Sequence, residues 1–98
     1  MFTVITVRIN GAQDTATVNS FSSAMRVIGE NTSGLGDLLQ GFVMVDSTLR
    51  SVRFNRTGLI DDAAEKVLWN KWFTDAAAAA GNNLPAARTV STNLMRKR

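Results

Sequence analysis

Reaction chemistry needs side chains that move protons, attack, or hold a metal, and this chain carries a short set of them. It has no histidine, cysteine or tyrosine. That removes imidazole acid–base work, thiolate attack, disulfides and Cys/His zinc sites. The tightest group of carboxylates is Asp61, Asp62 and Glu65. They stand at the start of a helical pattern, where anions complement the helix dipole and cap free amides, so capping accounts for them. A serine nucleophile would need Lys66 or Lys71 as its base, and neither lies in a motif. Asp37 and Asp46 have no spacing that argues for a shared Mg²⁺. The run "NTSGLG" lacks the Lys-Ser/Thr ending of a phosphate loop and follows a helical pattern where such a loop precedes one. The expectation is a protein that is not an enzyme, with no cofactor, no metal and no small-molecule substrate.

Contact chemistry remains, and three groups of residues could supply it. Trp69, Trp72 and Phe73 occupy one helical arc in "VLWNKWF", and each such side chain can bury about 150–250 Å². The arc packs its helix on a sheet, or it anchors another subunit, since Trp is enriched at interface hot spots. With Val67 and Leu68 it is wider than one small sheet readily covers, which supports a protein interface at Trp69, Trp72 and Phe73. The second group is Arg50, Arg53 and Arg56. On a strand Arg50 and Arg56 share a face with Phe54 while Arg53 points oppositely. That arrangement is a charge-defended sheet edge with Phe54 in the core, or a stacking surface with phosphate clamps. The third group is the end of the chain, where Arg88, Arg96, Lys97 and Arg98 carry +4 with no acid among residues 88–98. Such a cluster gains counterion-release free energy against a polyanion, or serves only as a solvated end.

The charge is concentrated there. The formal total is +3, so the other 87 residues, with seven Lys/Arg against eight Asp/Glu, come to −1. The body is close to neutral. Its composition, 45% hydrophobic and 19% charged over 98 residues, is that of one globular domain, small enough that an oligomer or partner surface would add useful stability. Without cysteine the chain is expected inside a cell or a virion. "MFTVITVRIN" does not read as a signal peptide, because Thr3 and Thr6 interrupt the apolar run and Arg8 comes early. No stretch approaches the roughly 18 apolar residues of a membrane span.

The elements that must position these residues follow from periodicity. "FTVITVRIN" alternates, with Thr3, Ile5, Val7 and Ile9 on one side and Phe2, Val4, Thr6 and Arg8 on the other, and predicts a strand. Asn10-Gly11 marks a turn, and "TATVN" returns as a second strand after a bulged hairpin. Ser20 or Ser22 caps a helix with Phe21, Ala24, Met25 and Ile28 at its apolar positions, ended by Gly29 and "NTSGLG". "DLLQ" is expected as a single helical turn closed by Gly41. "FVMV" and "LRSVRFN" form a second hairpin around Asp46, Ser47 and Thr48. "DDAAEKVLWNKWFTDAAAAAG" is the clearest helix, starting at Asp61 and Asp62 and stopping at Gly81 with Asn82 and Asn83. Its five alanines permit close approach to another surface or act as helix filler.

The fold class is therefore α+β: a small antiparallel sheet of about four strands in two hairpins, with two helices on one face, in the order ββαββα. The domain runs over residues 1–81. Residues 82–98, with a weakly helical restart at Leu84-Pro85, form an extended basic tail. The opening strand–strand–helix run resembles the start of a ubiquitin-like β-grasp, in topology and over roughly the first 30 residues only. No diglycine C-terminus accompanies it, so modifier chemistry does not carry over.

Two functional expectations result. The first is a structural or interaction protein working through protein–protein contacts or as a homo-oligomer. Small, motif-free chains without cysteine or histidine are common among phage and viral products, as virion components or host-directed proteins. In a virion the neutral body would meet its neighbours and the basic end the genome. The alternative is a small nucleic-acid-binding protein using the tail and the Arg50–Arg56 strand.

Overall fold

The computed structural model describes residues 1–79 apart from positions 57 and 61. Five strands and two helices are formed by the described residues. They are β1 (Phe2–Arg8), β2 (Gln13–Val18), α1 (Phe21–Leu35), β3 (Leu39–Asp46), β4 (Ser51–Asn55), β5 (Gly58–Leu59) and α2 (Ala63–Ala79), with a 3-10 turn at Gly36–Leu38 before β3. The sheet order is β2-β1-β3-β4-β5 and every pairing is antiparallel. The α+β class holds. The β-grasp resemblance stops at the order of the first three elements, because β1, in mid-sheet, runs antiparallel to both neighbours. The expected tail, the helix start at Asp61 and the stop at Gly81, Asn82 and Asn83 lie outside the described residues.

Both long hairpins turn in the same way. Gly11 N–H donates to the Arg8 carbonyl and Arg8 N–H to the Ala12 carbonyl, each at 2.9 Å, with Gly11 at φ 89°. In the second hairpin Leu49 N–H donates to the Asp46 carbonyl at 3.1 Å and Asp46 N–H to the Arg50 carbonyl at 2.9 Å, with Leu49 at φ 65°. A tight turn followed by one left-handed residue is a common bulged hairpin, and that residue is ordinarily Gly or Asn. Leucine is costly there. The Asp46 carboxylate compensates by accepting from the Thr48 and Arg50 amides and the Thr48 hydroxyl.

The parity of the strands decides what is inside. Phe2, Val4 and Thr6 of β1 lie beside Phe42 and Met44 of β3, Val52 and Phe54 of β4 and Leu59 of β5. The helices cover this side, and Phe21, Ala24, Met25 and Ile28 of α1 complete the core with Trp69 and Trp72 of α2. Each fully buried aliphatic or aromatic side chain there contributes about 1.5–3 kcal/mol. The one buried polar side chain among the described residues, Thr6, accepts from Asn31 Nδ2 at 2.8 Å, so its hydroxyl is not orphaned.

Helix boundaries follow capping and tertiary contact. Ser20 caps α1, its hydroxyl accepting from Ser23 N–H at 3.2 Å. The helix does not end at Gly29 as the sequence suggests but continues to Leu35. Three residues of the "NTSGL" turn repay the continuation: Asn31 reaches Thr6, Thr32 donates to the Ile28 carbonyl at 2.7 Å, and Leu35 packs against the core. Asp62 caps α2, its carboxylate accepting from Glu65 N–H at 3.1 Å. "DLLQ" is also corrected, being divided between the 3-10 turn and the start of β3, with Gly41 inside the strand. β5 is a short strand with no periodic signal of its own.

Candidate interaction surface

The aromatic arc of α2 folds inward. Trp69 is 1% exposed and Trp72 5%, while Phe73 is half-buried. The Trp69 ring meets Phe54 edge-on with centroids 4.8 Å apart and lies 5.2 Å from Phe21. Trp72 meets Phe2 edge-on at 5.5 Å, and Phe73 meets Phe21 at 5.8 Å. Such pairs stabilise beyond the area they bury. Of the two readings the sequence leaves open, sheet packing describes both indoles in this chain. The sheet manages to cover so wide an arc because α1 shares the task through Phe21. Val67, on the far side of the helix, remains 69% exposed.

Trp72 also ties α2 to the second hairpin, its Nε1–H donating to Asp46 Oδ2 at 3.3 Å. The Asp46 side chain is only 9% exposed. Burial works to raise its pKa, but hydrogen bonds from Thr48, the Arg50 and Thr48 amides, and the Arg50 charge outweigh it and hold the carboxyl below its ordinary value.

The three strand arginines are each engaged by a carboxylate. Arg50 pairs with Asp46 at 3.1 Å, Arg53 with Glu65 at 2.7 Å and Arg56 with Asp37 at 3.3 Å. Arg50 and Arg56 flank the buried Val52 and Phe54 on the helix side, and Arg53 is on the other parity. They are not brought together as one basic patch, and Phe54 offers no face for a base to stack on. Of the three, the Arg56–Asp37 pair is open to solvent on both sides, and a pair so exposed is worth little. Arg88, Arg96, Lys97 and Arg98 lie outside the described residues.

What the structure adds is the other face of the sheet. Thr3, Ile5 and Val7 of β1 stand beside Val45, Val43 and Gly41 of β3, with Thr15 and Thr17 of β2 and Ser51 and Arg53 of β4 flanking them. Ile5, Val7, Val43 and Val45 are half-buried, and none belongs to the helix-covered core. A shallow depression of about 170 Å³ on this side is lined by Val7, Gly41, Val43, Arg53 and Ile60. The sequence carried the signal, since Ile5 and Val7 alternate as strictly as Phe2 and Val4. What it could not show is which face the helices would choose. A second apolar cleft, about 380 Å³, lies between Phe2, Phe21, Trp72, Ala76 and Ala79.

Among the described residues, no group of three or more Asp or Glu is placed to hold a metal ion, and no helix is long and apolar enough to cross a membrane. In comparisons with known proteins, no family model, curated protein or solved structure matches the chain.

Proposed function

We propose that this is a structural or interaction protein that works by protein–protein contact and performs no reaction. The observation that carries the reading is the aliphatic face formed by Ile5, Val7, Val43 and Val45, which the two helices leave uncovered. An apolar centre rimmed by threonine, serine and glutamine, with the cation Arg53 already paired to Glu65, has the makeup of an interface core and rim. The occupant we assign to it is a neighbouring protein subunit. A virion component, its neutral body against neighbours and its +4 end toward the genome, is the form of this reading that uses both halves of the charge distribution.

A nucleic-acid-binding protein is the second reading, favoured by the +4 of residues 88–98. One experiment separates the two: the mass of the full chain in solution at low and high salt, with and without a short oligonucleotide. Protein contact gives a multimer that persists at high salt and shrinks in Val43→Lys. Nucleic-acid binding gives a mass gain only with the oligonucleotide, lost at high salt and on removing residues 96–98. A monomer under all four conditions, in the intact chain, overturns both.

A further inference from the structure

We infer that two copies of this chain pair along β2, edge to edge and antiparallel about Thr15, and that the two sheets become one. This goes beyond the open-face reading and stands whether or not that face has a partner.

The two edges of the sheet are treated differently. On the β4 side, β5 pairs with Phe54 and Asn55, Ile60 N–H donates to the Arg53 carbonyl, and Glu65 Oε2 accepts from the Arg53 amide at 2.9 Å. That edge is filled by the chain itself. On the β2 side no strand follows among the described residues, and Gln13, Asp14, Thr15 and Thr17 are exposed. Edge strands are usually defended by proline, lysine or a bulge, and "QDTATV" has none of these. Its one charge, Asp14, is already matched by Arg8 at 2.7 Å.

The direction of the free backbone groups follows from the hairpin. Arg8 N–H donates to the Ala12 carbonyl, and antiparallel ladders alternate, so the pairs Thr6–Asp14, Val4–Ala16 and Phe2–Val18 exchange bonds. Gln13, Thr15 and Thr17 therefore turn their N–H and C=O outward. This triplet is its own complement. With Thr15 opposite Thr15 of the second copy, Gln13 falls opposite Thr17, and the three pairs supply about six bonds between chains. Asp14 then faces Ala16 of the other copy, so no like charges meet across the seam. A two-fold axis normal to the sheet keeps both helix layers on one side and joins the two open faces on the other. The contact is short and at the low end of interface size, so it is a concentration-dependent dimer.

The test is sedimentation of the full chain from about 5 μM to about 1 mM, a range that spans weak association, with three substitutions. Thr15→Pro removes the central outward N–H, which its own sheet does not use. Thr15→Lys sets two ammonium groups opposite each other, and Thr15→Val leaves the backbone intact. With the open face blocked by Val43→Lys in every chain, the expected result is a dimer for the chain with Thr15 or Thr15→Val, and a monomer for Thr15→Pro and Thr15→Lys with an unchanged far-ultraviolet circular dichroism spectrum. Should Thr15→Pro disturb the fold, Thr15→Lys decides alone. Val43→Lys, on the open face, leaves this dimer in place, so loss of face contacts and loss of edge pairing are told apart. A chain with Thr15 that stays monomeric to the top of the range, or a folded Thr15→Lys that dimerises as well as it, overturns the inference.

Discussion

Trp72 is where an interface role and a core role give opposite results. In this structure its indole is 5% exposed, meets Phe2 edge-on and donates to Asp46. Truncation in Trp72→Ala removes roughly 200 Å² of buried area, worth about 5 kcal/mol at ~25 cal/mol per Å². Because the unfolded chain is already partly compact, ~3–5 kcal/mol is the working figure. Total stability for a domain of this size is about 5–15 kcal/mol, so the variant loses a large part of it. At ~4–8 °C per kcal/mol the melting temperature falls by at least about 12 °C. Trp72→Phe keeps a ring but loses the N–H to Asp46, and is expected to cost about 1 kcal/mol for that bond plus a smaller packing loss. The assay is thermal and urea unfolding followed by circular dichroism, with mass in solution measured alongside. A Trp72→Ala chain that melts like the wild type yet loses a partner or multimer would refute the core assignment and restore the indole as an anchor.

Two further predictions come from other parts of the fold. Gly41 pairs with Asn55 across β3 and β4, and a Cβ there would run into the Phe54 carbonyl oxygen. Backbone cannot swing aside as a side chain does, so Gly41→Ala is expected at the upper end of the ~1–3 kcal/mol range for overpacking, read as a lowered urea midpoint. A neutral result would show that the strand slides at that point. The Asp46 carboxyl has its pKa held below its ordinary value in the folded chain. Its contribution is thus complete above the unfolded value and disappears as pH falls through the folded one. Asp46→Asn should therefore be less stable than the wild type at neutral pH, with the gap in urea midpoint closing as pH drops below about 4.

The sequence made the elements legible wherever periodicity and capping agreed. β1, the Asn10-Gly11 turn, the Ser20 cap and the run of α2 through both tryptophans all appear in the structure where the residue pattern places them. It misled where tertiary contact outweighs propensity. α1 passes through Gly29 because Asn31, Thr32 and Leu35 each find a partner further on. Leu49 holds a left-handed turn position with no glycine to announce it, because Asp46 organises the loop from one residue before the turn. Of the residues singled out for contact, the strand arginines could be assigned to faces from parity, but the carboxylates that engage Arg53 and Arg56, Glu65 and Asp37, are distant in sequence.

The least obvious choice made by this chain is which face of β1 to bury. Ile5 and Val7 are at least as apolar as Val4 and Thr6, yet Thr6 goes inside and Ile5 does not. The deciding side chains are aromatic and belong to other elements. Phe42 and Phe54 share the parity of Phe2, and Phe21, Trp69 and Trp72 arrive from the helices to meet them. Each ring buries more area than a β-branched aliphatic can, so the aromatic face takes the helices, and Thr6 is carried inside at the cost of needing Asn31. The aliphatic face is then left outward as a consequence of sheet geometry, since period two forbids burying both faces under one helix layer. Reversing the preference tests this account: Ile5→Thr with Thr6→Val should raise core stability only if the Asn31 amide can turn to solvent, and in either case should weaken any assembly made through the open face.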